Sequence, residues 1–72
     1  MEIIAGGIYQ HFKNKKFYKV IGVGKNSETM EDVVIYEPQY ESEVKFWVRP
    51  IKMFCEELEH EGIKQPRFKF IK

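Results

Sequence analysis

The chain has 72 residues, of which 43% are hydrophobic and 15% aromatic, and its formal net charge is +1. A chain of this length buries about 60% of its unfolded surface and has room for one core, so we expect a single domain over residues 1–72. The aromatic content excludes a disordered chain, and the near-neutral charge disfavours strong, sequence-independent binding to nucleic acid.

The first predicted element is a β-hairpin. Apolar and polar residues alternate from Ile8 to Phe12, which directs these two side chains to the core and places His11 with Tyr9 on the opposite face. The polar run 13–16 is typical of the turn that joins two such strands.

The second strand is predicted over residues 17–25 and is expected to curve strongly. Phe17, Ile21 and Val23 share one face, which we assign to the core. Two glycines on the other face indicate a bulge, a bend or a close backbone neighbour. The polar residues 25–29 then form a loop.

Two more strands are predicted in the middle of the chain. Residues 32–37 are a near-continuous apolar run of the kind that central strands have, and Pro38 ends it because proline cannot donate to a β-ladder. After a connector, residues 44–49 form the next strand, which stops at Pro50.

The segment after Pro50 has two interpretations. Four residues at helical spacing predict a helix of about 11 residues, namely Ile51, Phe54, Cys55 and Leu58. The alternative is a short helical turn at Ile51–Phe54, a strand, a turn at residues 61–62 and a last strand through residues 67–71. The elements together predict a mainly-β (all-β) domain, a small and strongly bent SH3-like barrel of about five strands.

Short motifs occur in order between residues 7 and 71: GIYQHFK, YKV, NSET, VVIY, FWVRP, MF and PRF. This order resembles the family of short, mostly bacterial proteins known as domain of unknown function 1653 (DUF1653). The family pattern has His where Asn26 precedes Ser-Glu-Thr, and Gly where Asn14 lies in the first turn. The resemblance implies a small β-barrel and favours strands over residues 55–71. It implies no activity, because the family has none assigned.

The charges are distributed unevenly along the chain. Residues 1–25 carry a net charge of +4, residues 26–61 of −7 and residues 62–72 of +4. If the two basic ends pair as neighbouring strands, they form one basic flank of the domain. The alternative is that these charges are the solvated faces of a neutral domain.

The single cysteine, Cys55, excludes an internal disulfide and favours a reducing, cytoplasmic location. Its apolar neighbours predict a structural thiol. We find no motif for a metal or a cofactor and no nucleophile beside a general base, so we predict no metal, no cofactor and no catalytic residue. The acidic second residue and a longest uncharged stretch of only ten residues, Ile3–Phe12, lead us to expect neither a signal peptide nor a membrane span.

A candidate binding site centres on the stretch FWVRP. Alternation predicts Phe46 and Val48 toward the core and places Trp47 and Arg49 together on the other face, where a cation–π contact contributes about 0.5 to 2 kcal/mol. With residues of the neighbouring strands and loop, the predicted site comprises Tyr9, His11, Glu28, Tyr36, Trp47 and Arg49. The alternative is a structural Arg49–Glu28 ion pair, with the aromatic residues closing one end of the barrel.

Three functions are compatible with this site. The first is a binding module that recognises RNA, single-stranded nucleic acid or a peptide by stacking and charge. The second is an adaptor in a larger complex. The third is a domain that binds a small molecule or anion, or an enzyme, through His11, Glu28 and Arg49, although 72 residues rarely enclose a dry pocket without a dimer. We expect a monomer or a weak homodimer.

Overall fold

The structure of the protein is a computed structural model that describes residues 3–72. The expectation of no signal peptide rests partly on Glu2, which lies outside the described residues. The elements are β1 (Ile8–His11), β2 (Phe17–Lys25), β3 (Asp32–Pro38), β4 (Trp47–Pro50), α1 (Ile51–Phe54), β5 (Glu57–His60), β6 (Ile63–Pro66) and β7 (Phe68–Phe70).

Five antiparallel strands form the main sheet in the order β4-β3-β2-β1-β7, and β5 pairs with β6 in a separate hairpin. The mainly-β prediction is confirmed. No ladder joins β4 to β7 within residues 3–72, so this sheet is open between its two edges. The SH3-like barrel stays a prediction.

Up to the turn at residues 61–62, the segment after Pro50 follows the second interpretation, so the helix of about 11 residues is wrong. Beyond that turn the chain forms two strands, β6 and β7, where one last strand was predicted. Helix α1 has four residues and ends where the N–H of Cys55 donates to the carbonyl of Ile51. Strands β5 and β6 are joined by Glu61 and Gly62, both with positive φ (55° and 77°). Two such residues make the turn that matches the twist of a β-hairpin.

The turn between β1 and β2 is closed by side chains. The Oδ1 of Asn14 accepts the N–H of Lys16 at 2.8 Å, and the Nε2 of Gln10 donates to the carbonyl of Lys15 at 3.0 Å. Lys15 itself has a φ of 62°. The predicted hairpin is therefore confirmed.

Strand β2 contains the predicted bulge. Its register against β3 shifts by one residue between Val20 and Gly22, so Ile21 has no opposite partner. A bulge of this kind increases local twist and bends the strand. Strand β4 begins at Trp47 and not at Val44, which shortens the fourth predicted strand.

In most strands, the face that packs on the core is the opposite of the predicted one. Its buried residues are Tyr9, Tyr18, Val20, Val34, Tyr36, Phe54 and Phe68. Phe17, Ile21 and Val23, which we assigned to the core, are 43%, 44% and 50% exposed, and the same error applies to Phe46 and Val48, at 54% and 63%. The face was inverted because three of the seven buried residues are tyrosines, which hydropathy ranks below Phe, Ile and Val.

The basic ends of the chain do pair as neighbours, because β1 lies between β2 and β7 in the sheet. Lys19 faces Ile8, and Lys69 faces Gln10, across these two ladders. The condition stated for one basic flank, that the two basic ends pair as neighbouring strands, is therefore met. Among residues 3–72, no helix has the length and apolar character to cross a bilayer.

Candidate functional site

A concave site of about 290 Å³ lies at one end of the core, where β1, β3, β4 and the first turn meet. We call it the aromatic pocket. It is lined by His11, Asn14, Tyr18, Tyr36, Tyr40, Trp47, Arg49 and Phe68. Five of these side chains are aromatic rings, and no carboxylate is among them.

The structure brings together four of the six predicted site residues: His11, Tyr36, Trp47 and Arg49. Tyr9 is instead in the core, where its ring meets the edge of Phe54 and its hydroxyl accepts the N–H of Ile4 at 3.2 Å. Its assignment to the face opposite the core was wrong for the reason given above.

Glu28 lies away from the aromatic pocket. It belongs to the turn between β2 and β3, where its N–H donates to the Oδ1 of Asn26 at 2.9 Å. The structure contains no Arg49–Glu28 ion pair; the ion pairs within residues 3–72 are Lys25–Asp32, Lys64–Glu57 and Arg67–Glu56.

Arg49 is the only arginine that lines the pocket. Its Nε donates to the hydroxyl of Tyr36 at 3.3 Å, and its guanidinium carbon lies 5.9 Å from the ring centre of Phe68. The cation–π contact predicted with Trp47 is therefore made with Phe68. Within the described residues its two terminal nitrogens have no hydrogen-bond partner, so they are available to a ligand.

His11 presents a neutral ring to the pocket. Burial lowers its pKa below the usual 6.5, and the positive charges of Arg49, Arg67 and Lys13 lower it further. Its Nδ1 accepts the N–H of Lys13 at 3.1 Å, so the neutral ring carries its proton on Nε2. The ring is held between Phe12, at 5.1 Å, and the edge of Phe68, at 4.9 Å. His11 can therefore donate a hydrogen bond from Nε2.

A short chain of hydrogen bonds forms another wall. Asn14 Nδ2 donates to the hydroxyl of Tyr18 at 3.1 Å, and this hydroxyl shares a hydrogen bond of 2.9 Å with that of Tyr40. The bond to Tyr18, together with burial, raises the pKa of Tyr40 to about 12. The ammonium of Lys16 lies 4.3 Å from the ring centre of Tyr40 and adds a second positive charge at the rim.

This arrangement suits the binding of a ligand. The pocket offers cations, hydrogen-bond donors and aromatic faces, and it lacks a nucleophile beside a base. Burial raises the pKa of the Cys55 thiol, which favours the unreactive protonated form. No group of three potential metal ligands occurs in the part of the chain that the structure describes.

Sequence reasoning missed four lining residues: Asn14, Tyr18, Tyr40 and Phe68. Tyr18 and Val20 share one face of β2 opposite the charged Lys19, and this alternation was the available signal for their burial. Asn14 sits in a turn, where its type alone predicts only local hydrogen bonds. Tyr40 lies in a connector without periodicity, so no pattern predicted it.

Comparison with known proteins identifies two similarities. A family model described as a protein of unknown function, DUF1653, matches residues 7–70. The crystal structure of a DUF1653 protein from Bordetella bronchiseptica superimposes with a TM-score of 0.84 at 28% identity, covering 94% of this chain and 87% of that one. No curated protein matches the chain.

Proposed function

The chain belongs to the DUF1653 family of proteins of unknown function, and from its site we propose that it is a binding module for single-stranded nucleic acid. The aromatic pocket takes one nucleotide of the strand, with its base against the aromatic faces and a phosphate on Arg49. The observation that carries the proposal is the half-buried Arg49 guanidinium, which faces aromatic rings and has no carboxylate partner in residues 3–72.

The charge of this pocket favours an anion. A guanidinium keeps its positive charge and forms paired hydrogen bonds with the oxygens of a phosphate. Arg49 has both terminal nitrogens available for that contact, and the Nε2 of His11 supplies a third donor on the same lining. A bound phosphate would compensate a cation that has no carboxylate partner within residues 3–72.

The rings favour a planar group next to that anion. Trp47 is 44% exposed, so part of its indole is open to contact with a ligand. Stacking of a base on an aromatic side chain contributes about 1–3 kcal/mol and does not depend strongly on the base. The volume of about 290 Å³ is at the lower end for ligand pockets and suits a single base.

The proposal includes the setting of this module. We expect it to act in the cytoplasm of a bacterium, as a monomer or a weak homodimer, on a bent SH3-like scaffold. The near-neutral net charge of +1 predicts modest affinity, so that stacking and not bulk electrostatics selects single strands.

The chain supplies its own reporter for the test, because Trp47 is its only tryptophan. Titration with short RNA and DNA single strands of about eight nucleotides, within the usual site size of such modules, should quench Trp47 fluorescence. Arg49→Met should lower the affinity about tenfold, which corresponds to the loss of one charge-assisted hydrogen bond. Lys52→Met removes the same charge from a residue outside the pocket and should change the affinity less than twofold.

Four outcomes contradict the proposal. The first is that single strands do not bind at all. The second is an equal loss of affinity in Arg49→Met and Lys52→Met, which would indicate nonspecific electrostatic binding. The third is a free mononucleotide that binds as tightly as the oligonucleotide, which would favour a small-molecule site. The fourth is a peptide that competes with the strand, which would favour an adaptor.

A further inference from the structure

A second concavity, of about 310 Å³, lies on the other side of β1 from the aromatic pocket. Three lysines line it, one from the first turn, one from β6 and one from β7: Lys15, Lys64 and Lys69. We call it the lysine groove. Its remaining lining is neutral, and it includes Gln10 and the ring of Phe12.

The fold fixes the positions of these lysines. Lys69 lies opposite Gln10 in the ladder between β1 and β7. The side chain of Gln10 in turn holds the carbonyl of Lys15 at 3.0 Å, and the N–H of Lys15 donates to the carbonyl of His11 at 3.0 Å. The backbone positions of two of the three lysines are thus set by hydrogen bonds to β1.

The groove has little negative charge of its own. Within residues 3–72, the ion pair recorded for these lysines joins Lys64 Nζ to Glu57 Oε1 at 3.8 Å, and both side chains are largely exposed. An exposed pair at that distance is weak and is screened by salt. Three lysines that converge without buried carboxylates create a positive potential that attracts anions.

The lysine groove and the aromatic pocket flank the same turn. Neighbouring residues alternate between the two concavities. Gln10 lines the groove and His11 lines the pocket; likewise, Asn14 lines the pocket and Lys15 lines the groove. Lys16, next along the chain, lies over the ring of Tyr40 at the pocket rim. Lys15 and Lys16, consecutive in this turn, therefore place one positive charge at each concavity.

We propose that the lysine groove is a phosphate subsite, which holds the sugar–phosphate backbone of the strand whose base enters the aromatic pocket. This inference rests on the proposed function, because it assigns the backbone of the same ligand. It commits to phosphodiester oxygens contacted by lysine point charges, which fix the path of the strand without reading its sequence.

Salt dependence tests the subsite on the complete chain. For single strands, the slope of log K against log salt changes by about 0.7 for each phosphate neutralised. The variant K15Q/K64Q/K69Q should therefore bind the oligonucleotide with a slope smaller by about 2. The control K25Q/K45Q/K52Q removes the same charge from lysines outside both concavities, and its slope should stay close to that of the parent protein.

A base-free probe separates the groove from the pocket. Inorganic tripolyphosphate should bind the parent protein and Arg49→Met, and should lose most of its binding in K15Q/K64Q/K69Q but not in the control. Thermal unfolding checks that each variant is folded.

The outcomes distinguish the two proposals. If oligonucleotides bind through Arg49 and Trp47 but the groove variant keeps its full salt slope, the subsite is overturned and the proposed function stands. If no oligonucleotide binds, the proposed function fails, and the tripolyphosphate result decides whether the groove is a phosphate site. Equal effects of the groove variant and its control overturn the subsite in either case.

Discussion

Arg49 on β4 donates a hydrogen bond from its Nε to the hydroxyl of Tyr36 on β3, at 3.3 Å. The ring of Tyr36 belongs to the buried core, while its hydroxyl reaches the pocket. This bond therefore fixes the direction of the guanidinium from inside the protein. Preorganised donors bind more tightly because less conformational entropy is lost on binding.

Tyr36→Phe should lower the affinity for single strands and cost about 1 kcal/mol of unfolding free energy, since it removes the acceptor and keeps the ring. We expect a three- to tenfold loss of affinity, measured by quenching of Trp47 fluorescence. A urea titration measures the change in unfolding free energy. Tyr9→Phe is the matched control, because the Tyr9 hydroxyl accepts the N–H of Ile4 outside the pocket. Equal losses of affinity in the two variants would show that Tyr36 does not orient Arg49.

Phe68 connects the core to the pocket. It is 4% exposed and stacks on Phe54 with ring centres 4.2 Å apart and planes at 6°. Phe68→Ala should cost about 3–5 kcal/mol in urea unfolding, because it leaves a cavity at the centre of the ring cluster. Phe70→Ala, on the same strand but at a ring that is 45% exposed, should cost less than half as much. Similar costs would contradict the assignment of the core face.

Most strands of this fold, although not β6, could be predicted from the sequence because the signals for them are local. Prolines, glycines and polar turns bracket the apolar runs. The glycines of β2 indicated a bulge, and the register confirms it. The same period-2 pattern also brought His11, Trp47 and Arg49 into one hypothesis, and all three line the pocket.

The core face could not be predicted because it depends on partners that are distant in sequence. Tyr18 and Tyr36 are buried, and their hydroxyls bond to the hydroxyl of Tyr40 and the guanidinium of Arg49, which follow 22 and 13 residues later in the chain. A tyrosine ring fills a core well when its hydroxyl finds such a partner. A hydropathy scale includes the cost of burying the hydroxyl but not the hydrogen bond that offsets it.

The position of Glu28 depended on tertiary geometry in the same way. Asp32, at the start of β3, pairs with Lys25 next to the turn that contains Glu28. Tyr36 lines the pocket and lies four residues further along β3. At about 3.3 Å per residue, that is about 13 Å along the strand. The sequence places Glu28 in a loop but does not say at which end of the sheet the site forms.

Arg67 joins the helix to the last strands. Its Nε donates to the carbonyl of Met53 at 2.9 Å, and one terminal nitrogen pairs with Glu56 Oε1 at 2.7 Å. Arg67→Met loses both bonds and should cost about 1–2 kcal/mol. Glu56→Gln keeps an accepting oxygen on a half-exposed side chain and should cost less than about 1 kcal/mol. If urea unfolding shows equal costs, the ion pair and not the carbonyl bond holds α1 in place.

The neutral state of His11 makes the stability of the domain depend on pH. Its pKa in the folded protein lies below the usual 6.5, because the ring is partly buried and faces the charges of Arg49, Arg67 and Lys13. Between these two pKa values the unfolded chain binds a proton at His11 and the folded chain does not. The contribution of His11 is thus complete above about pH 6.5 and is lost as the pH falls through this window.

His11→Asn should remove that dependence. The Oδ1 of Asn can accept the N–H of Lys13 in place of Nδ1, and it does not titrate. Thermal unfolding should show that the stability of the parent protein relative to this variant falls as the pH is lowered below about 6.5. By the same linkage a bound anion raises the pKa of His11, so NMR of the imidazole should show an upward shift on addition of oligonucleotide. A ring that titrates at 6.5 with and without ligand would contradict both its burial and its place in the pocket.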